Sequence, residues 1–594
     1  MRGITWNSYH VGVGDTEGYP YIRSLLTLAA RKNLQPTPLP PWLSDIVTPL
    51  THDMWAAAMQ EYPDKLFKEY ILSGIKNGFR VGFNYRHKSL VARTSNMASA
   101  REHPDIVDNY LLGEKSQGRI GSVPESSPLA QACHTSPFGV IPKKSKPGKW
   151  RLIIDLSSPA NHSVNDGIEK ELCSLSYVKV DQVVECILNV GQGALLAKVD
   201  IKQAYRNIPV HPEDRLLLGM SWRGQTLIDK VLPFGLRSAP IIFSAVADAL
   251  QWIIQQKGVD HLYHYLDDFI MMGAPQSSSC QNNLALTLDT CKQVGMPIEP
   301  EKTEGPATKI TFLGMELDSV ALTIRLPEPK LNRLRALLAD WSGLKTVKKR
   351  DLLSLIGHLH HASTAVRQGR SFLRRLINLS TIVNNLEGHV RLNISARSDI
   401  MWWRIFIERW NGTSMLYNYQ KANPQVHVFS DASGSWGCGA FVGNSWFQFK
   451  WPQDMPECHI STKEMIPIVM AAMVWGHRWR GLSVKFHCDN SAVVALLNSG
   501  AVRDSSLMHL MRCFSFVSAK CNFIFSSCHI RGVDNVLADA LSRNNLPLFL
   551  FHCPQAQKAP VPLHPALQDL LIHSKPAWTS TAWTQLWTTI FITA

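Results

Sequence analysis

The chain has 594 residues, room for roughly three to five domains at about 100–200 residues each. Hydrophobic residues make up 45% and charged residues 18%, which excludes wholesale disorder. With 61 Lys and Arg against 47 Asp and Glu, the formal charge of +14 favours a polyanionic partner.

The 12 cysteines include no CxxC pair, so neither zinc-knuckle spacing nor a dense disulfide framework is present, and reduced thiols in the cytoplasm or nucleus are expected. MRGITWNSYH has no apolar stretch behind its arginine, and no run of 18 apolar residues occurs, so neither secretion nor membrane insertion is expected.

In chain order, residues 1–42 end in a proline cluster (Pro36, Pro38, Pro40, Pro41) that reads as a linker. Residues 43–115 read as mostly helical, with Leu66, Tyr70, Ile71 and Ile75 near helical spacing. The polar, turn-rich stretch 116–128 makes 115/116 a candidate boundary, and from 136 to about 318 short β-branched runs alternate with helical patterns. Residues 325–375 hold twelve Lys or Arg and three acids, while Leu331, Leu334, Leu338 and Trp341 keep helical spacing. A Trp- and Arg-rich connector covers 376–424, and a second strand-and-helix region covers 425–544. From 545 the repeated prolines suggest an extended tail.

Three features of 136–318 carry chemistry. Lys143, Lys144, Lys146, Lys149 and Arg151 surround Pro147-Gly148, a basic hairpin suited to a triphosphate. Asp200 ends the apolar run LLAKV, where a carboxylate is held at a strand end, and Tyr205 follows five residues later. In HLYHYLDDFIMM, Asp267 and Asp268 form the acidic tip of a hairpin. Alone, such a tip is most often a solvated turn. Together with Asp200 it would form an oxygen-rich site suited to Mg²⁺.

The succession of basic hairpin, Asp200 with Tyr205, LPFGLRSAPIIFS, YLDD and EKTEGPATKITFLG resembles the ordered motifs of retroelement reverse transcriptases. The resemblance implies that Asp200, Asp267 and Asp268, with the carbonyl of Ile201, hold the catalytic metals. It also implies that Lys144 and Arg151 bind the nucleotide phosphates. Tyr205 would lie under the sugar and exclude a 2′-hydroxyl, Phe234 and Gly235 would approach the nucleotide, and Lys302 would assist pyrophosphate departure.

Downstream, Asp431 ends the strand-like VHVFS, Glu464 begins an apolar helix, and Asp489 follows VKFHC. His529, Asn535 and Asp539 lie in HIRGVDNVLADALSR. This order is similar to ribonuclease H, in which four carboxylates bind two Mg²⁺ ions. The likeness implies that Asp431, Glu464, Asp489 and Asp539 are ligands, that His529 on a mobile loop assists product departure, and that Asn535 shapes the last turn. The basic residues between the two sites, among them Lys330, Arg333, Lys345 and Arg374, would clamp duplex phosphates independently of sequence.

STKEM (461–465), DIMWWRIFIERWNGTSM (399–415), GFRVGF (78–83) and NMASAREHPDIVDNYL (96–111) resemble DIRS-type retrotransposons, which encode a tyrosine recombinase. There is no CCHC knuckle and GVGDTEG is not a DTG protease motif, so the tail reads as a linker toward a recombinase, a candidate partner from the same element.

The expected fold is α/β and multidomain: a mostly helical region over 1–115, right-hand polymerase fingers and palm over 116–318, a basic helical thumb and connector over 319–424, an RNase H-like α/β domain over 425–544, and a tail over 545–594. The expected activity is RNA-directed DNA synthesis with fused ribonuclease H, using Mg²⁺ (Mn²⁺ as the alternative), two ions per site, with RNA template, DNA primer, RNA–DNA hybrid and dNTPs as partners. The competing readings are a catalytically silent, co-opted nucleic-acid-binding protein and a nuclease whose palm is only a scaffold.

Overall fold

The computed structural model describes Tyr19, Ile22, residues 39–85, Leu90, and residues 94–143 and 148–563. It has the expected α/β, multidomain character and divides into two compact units, Met1–Leu313 and Gly314–Ala594. Among the described residues, no helix is long and apolar enough to cross a membrane.

The first unit centres on an antiparallel sheet of order β7-β8-β4-β9, built from β4 (Leu195–Asp200), β7 (Leu262–Tyr265), β8 (Asp268–Gly273) and β9 (Glu304–Ala307). Helix α4 (Ala239–Gln256) is buried along most of its length, including Ile241, Phe243 and Ile253, and it shares a core with Ala197, Val199 and Phe269 of the sheet. Each such large apolar side chain removed from water contributes about 1.5–3 kcal/mol, which makes this sheet a stiff platform for groups at its strand ends.

The same core takes in Trp55 of α1 (His52–Ala58) and Phe67 and Ile71 of α2 (Lys65–Asn77). The expected boundary at 115/116 is therefore corrected. The amphipathic early helices cannot bury their apolar faces alone: α2 packs on α4, and α1 packs on α2 and on α5 (Ser279–Val294), where Trp55 Nε1 donates to the Val294 carbonyl at 2.9 Å. Helix α3 (Pro104–Ser116) instead shares a smaller core with the hairpin β2 (Phe138–Pro142) and β3 (Trp150–Ile154). A further small sheet pairs β1 (Ile120–Ser122) and β5 (Gly219–Trp222) on either side of β6 (Gln225–Asp229).

In the second unit, α6 (Glu328–Trp341) buries Leu331, Leu334, Leu338 and Trp341, as the periodicity predicts. Helix α7 (Lys349–Ala362) buries Leu352, Leu355 and Leu359. Beyond them lies a five-stranded mixed sheet of β10 (Val426–Ala432), β11 (Gly437–Val442), β12 (Ser445–Lys450), β13 (Ser483–Cys488) and β14 (Ile524–His529). Its order is β12-β11-β10-β13-β14, antiparallel on the β12 side of β10 and parallel on the other. Helices α9 (Ile460–Trp475) and α11 (Val536–Ser542) pack on it.

The extended tail expected from 545 is also corrected. Leu546–His552 form a helix, α12, with Pro547 in its first turn, where a missing amide is harmless. Its Phe549 is buried against Trp446, and Val561 donates to the Trp446 carbonyl at 2.8 Å. The apolar run LPLFLF outweighed the punctuating prolines. Residues 564–594 of the expected tail lie outside the described residues.

Candidate active sites

The end of β4 and the β7–β8 hairpin bring the first three acids together. In the antiparallel register Asp200 faces Asp268 and Val199 faces Phe269. The hairpin turns through Leu266 (φ 53°) and Asp267. Holding a leucine in the left-handed region costs about 1–2 kcal/mol, a strain the buried flanking strands tolerate. The Ile201 amide donates to the Asp267 carbonyl at 2.9 Å, joining the tip to the strand end. The Ile201–Ile298 bridge is made through the Asp200 carbonyl and the Lys202 amide, so the Ile201 carbonyl is not part of it.

Burial, then Asp267 and Asp200, push the Asp268 carboxyl up to about 6. Asp267 is raised as well, by burial and then by Asp200, with Lys302 opposing. The Lys302 ammonium sits on Asp200, 2.8 and 2.7 Å from its two oxygens. Three carboxylates answered by the exposed Lys302, and by Lys198 that also pairs with Glu304, form an all-oxygen donor set short of positive charge, which suits a hard divalent cation.

An aromatic group borders these acids. Tyr205 stands in a short 3₁₀ turn (Ala204–Asn207), its ring centroid 5.3 Å from that of Phe234 and 5.6 Å from that of Phe243. Burial, then Tyr177 and Asp267, raise its hydroxyl to about 12. Gly235 has φ 94°, and a Cβ there would lie 2.9 Å from the Ile154 carbonyl oxygen, so a side chain would be both strained and crowded.

Sequence reasoning missed Asn165. Its side-chain amide donates to Gly235 O and Ser157 Oγ, both at 2.9 Å, and its Oδ1 accepts from the Arg237 amide at 2.7 Å, fixing the Phe234–Arg237 loop. Tyr177, whose ring lies 4.8 Å from Tyr265, was also missed. Arg151 lies exposed on β3 opposite Ile141 and makes no ion pair with the three acids. Lys144 lies outside the described residues.

In the second unit Asp431, near the end of β10, faces Gly439 of β11. Glu464 is in the second turn of α9, and Asp489 directly follows β13. Donor atoms of Glu464, Cys488 and Asp489 lie within 4.8 Å of one another. Burial, then Asp431 and Asp489, raise Glu464 to about 9. Burial also raises Asp431 to about 6, with Asp489 and Asp539 adding to the shift and a hydrogen bond from Ser542 Oγ opposing it. Asp539, on α11, receives Arg543 Nε at 2.6 Å. Oxygen-rich and short of positive charge, this donor set also suits divalent cations. Neither Cys488 nor Ser542 was predicted.

His529 calls for a correction. It is the last residue of β14, paired with Cys488 in the parallel ladder rather than placed on a loop, and its Nε2 lies 2.9 Å from the Asp489 carbonyl oxygen. Asn535, buried at the start of α11, donates to the Ser430 carbonyl at 3.0 Å and so ties α11 to the strand carrying Asp431.

Several basic residues of 325–375 are already paired. Arg335 contacts Glu328 and Glu408, Lys348 and Arg350 share Glu387, Arg375 meets Asp399, and Arg367 lies 4.3 Å over the Tyr417 ring. A cavity of about 170 Å³ is lined by Lys330 and Arg333 of α6 and by His358 and His361 of α7, so the lining cations come from α6.

Residues 141–317 match the family model for reverse transcriptase (RNA-dependent DNA polymerase). The Gag-Pro-Pol polyprotein of Mason-Pfizer monkey virus is 28% identical over 251 residues, covering 40% of this chain and 13% of that one. The retrovirus-related Pol polyprotein from transposon opus of Drosophila melanogaster is 20% identical over 443 residues, covering 71% and 40%. A solved foamy viral protease-reverse transcriptase in complex with RNA/DNA hybrid aligns with a TM-score of 0.45 at 12% identity, covering 83% of this chain and 64% of that one. The chain thus spans well under half the length of either curated relative. It carries a reverse transcriptase domain homologous to those of retroelement Pol polyproteins.

Proposed function

We propose that the chain is an RNA-directed DNA polymerase with a fused ribonuclease H, which copies retroelement RNA into DNA and degrades the RNA of the hybrid. The observation carrying this reading is the register of Asp200 against Asp268 with Asp267 at the adjoining tip, three oxygen donors on one buried sheet. The cluster of Glu464, Cys488 and Asp489, electrostatically coupled to Asp431, supports the nuclease half.

Asp200, Asp267 and Asp268 with the Ile201 carbonyl would hold two Mg²⁺ (or Mn²⁺) ions, and Asp431, Glu464, Asp489 and Asp539 would hold two more. Bound there, the ions supply the positive charge that stabilises attacking and leaving oxygens in phosphoryl transfer. Lys144 and Arg151 would grip the triphosphate of a dNTP, and Tyr205, walled by Phe234, would exclude a 2′-hydroxyl. Lys302 keeps its proton through Asp200 and would hand it to departing pyrophosphate. His529, held against Asp489, would act at the leaving end of the cleaved RNA. The unpaired basic residues of 319–424 would contact the hybrid's backbone, a salt-sensitive and sequence-tolerant grip.

Within the retroelements, we assign the chain to the DIRS type on the four sequence stretches quoted above. A DDE integrase gene in the same element would refute that assignment.

Primer extension on poly(rA)/oligo(dT) with Mg²⁺ or Mn²⁺, run beside cleavage of hybrid RNA, tests the function. Asp267→Asn should abolish synthesis and spare cleavage, and Asp431→Asn should do the reverse. Hybrid binding with neither activity in the unmodified protein would assign it to the silent class, and cleavage alone would leave the palm as a scaffold.

A further inference from the structure

Five charged side chains are buried together behind the turn that carries Tyr205, and nothing in the polymerase reading uses them. Glu114, in the last turn of α3, accepts from Arg119 Nη2 at 2.6 Å through one oxygen. Its other oxygen accepts from Arg206 Nε at 3.0 Å and Nη2 at 2.6 Å. Arg206 also lies 2.7 Å from Asp229 Oδ1. The next residue, Lys230, reaches Asp45 at 2.7 Å. Glu114, Arg119, Arg206, Asp229 and Lys230 are each no more than 8% exposed.

This arrangement runs against local preference. A carboxylate in the last turn of a helix faces the negative end of the helix dipole, where a cation is favoured. Burying it is unfavourable as well unless its oxygens are fully answered. Both of its oxygens are answered, by the two guanidinium groups. Those groups lead to the same place. Arg206 is the neighbour of Tyr205 in the 3₁₀ turn, and Arg119 Nη1 donates at 2.7 Å to Oε1 of Gln203, which enters that turn in the left-handed conformation (φ 53°, ψ 35°). Gln203 and Arg206, which bracket Tyr205, are thus both anchored through one carboxylate that lies 92 residues before Arg206.

We propose that Glu114 is a positioning residue for nucleotide sugar selection: through Arg119 and Arg206 it fixes the Gln203–Arg206 turn and so the height of the Tyr205 ring beneath the incoming sugar. This rests on the polymerase reading above. A ring that separates deoxyribose from ribose by contact with one hydroxyl must be held to a fraction of an ångström, and a small displacement weakens discrimination before it weakens chemistry.

The test compares kcat/KM for a dNTP and its matching rNTP in primer extension by the full chain. Glu114→Gln keeps the shape of the side chain but removes its charge. It should lower the preference for dNTP about tenfold through KM, with kcat for dNTP held within about threefold. Gln203→Asn, at an exposed position where asparagine tolerates the left-handed conformation but falls short of Arg119, should lower it in the same sense without loss of folding. In a Tyr205→Ala background neither change should reduce the preference further, because both act through the missing ring.

An unchanged preference in folded Glu114→Gln, or in Gln203→Asn should the first variant not fold, overturns the proposal. So does an equal loss with and without Tyr205, or a fall in kcat alone. Absence of any primer extension by the unmodified chain, or no effect of Tyr205→Ala, would instead sink the site reading beneath it.

Discussion

Asn165 offers a direct measure of how far the Phe234–Arg237 loop depends on one side chain. Replacing it with alanine removes three hydrogen bonds, to Ser157, Gly235 and the Arg237 amide. Each is worth about 0.5–1.5 kcal/mol net, and because the site is buried the loop's carbonyl and amide are left without ready replacements. The sum is a destabilisation of about 2–4 kcal/mol, read as a lower urea midpoint at constant slope. Because Gly235 is already in a conformation with positive φ, the freed loop should relax, and KM for dNTP should rise several-fold or more with a smaller change in kcat. Asn165→Asp, which keeps the acceptor for the Arg237 amide but loses the donor to Gly235, should not rescue the KM. A stability change under about 0.5 kcal/mol with unaltered KM would refute the reasoning, because it would mean that the loop is set by packing alone.

Other residues give independent tests. Ser542→Ala removes the hydroxyl that donates to Asp431 and should raise the Mg²⁺ concentration needed for RNA cleavage by about 10-fold or more, leaving primer extension untouched. Phe549→Ala should destabilise the second unit by about 3–5 kcal/mol in urea, because the ring is fully buried beside Trp446 and Phe441. A neutral result would return α12 to the status of a loose tail. Asp399→Ala, which strips the buried Arg512 and its neighbour Arg375 of their acid, should cost about 3–5 kcal/mol by the same measure. Arg350→Ala, which breaks a pair with the exposed Glu387, should leave the urea midpoint unchanged, because solvent and salt screen an exposed pair.

Most of the acids were legible because they stand at the edges of apolar runs (Asp200, Asp431 and Asp489 where one stops, Glu464 where one begins), and such edges can be read without knowing the fold. Asp200 and Asp268 face each other because two runs pair in antiparallel register, a local consequence of their patterns. Residues that act across the chain left no such trace. Asn165 looked like one more polar residue in NHSVNDG until its side chain met a loop 70 residues later. Ser542 reaches Asp431 over 111 residues, and Glu114 reaches Arg206 over 92. Composition misled once, where prolines after 545 hid a short helix, and the likeness to ribonuclease H put His529 on a loop although it is the last pair of a parallel ladder. Charge counting also overstated the free basic surface of 325–375, because it cannot see which cations already have acids.

The ammonium resting on Asp200 bears on how the three acids are held together. A trio of carboxylates with nothing opposite would push the hairpin tip and the strand end apart. The Lys302 ammonium, 2.7 Å from Asp200, offsets part of that repulsion. If the proposed polymerase reading holds, chelation should therefore silence synthesis without unfolding the chain, and restoring Mg²⁺ should revive it.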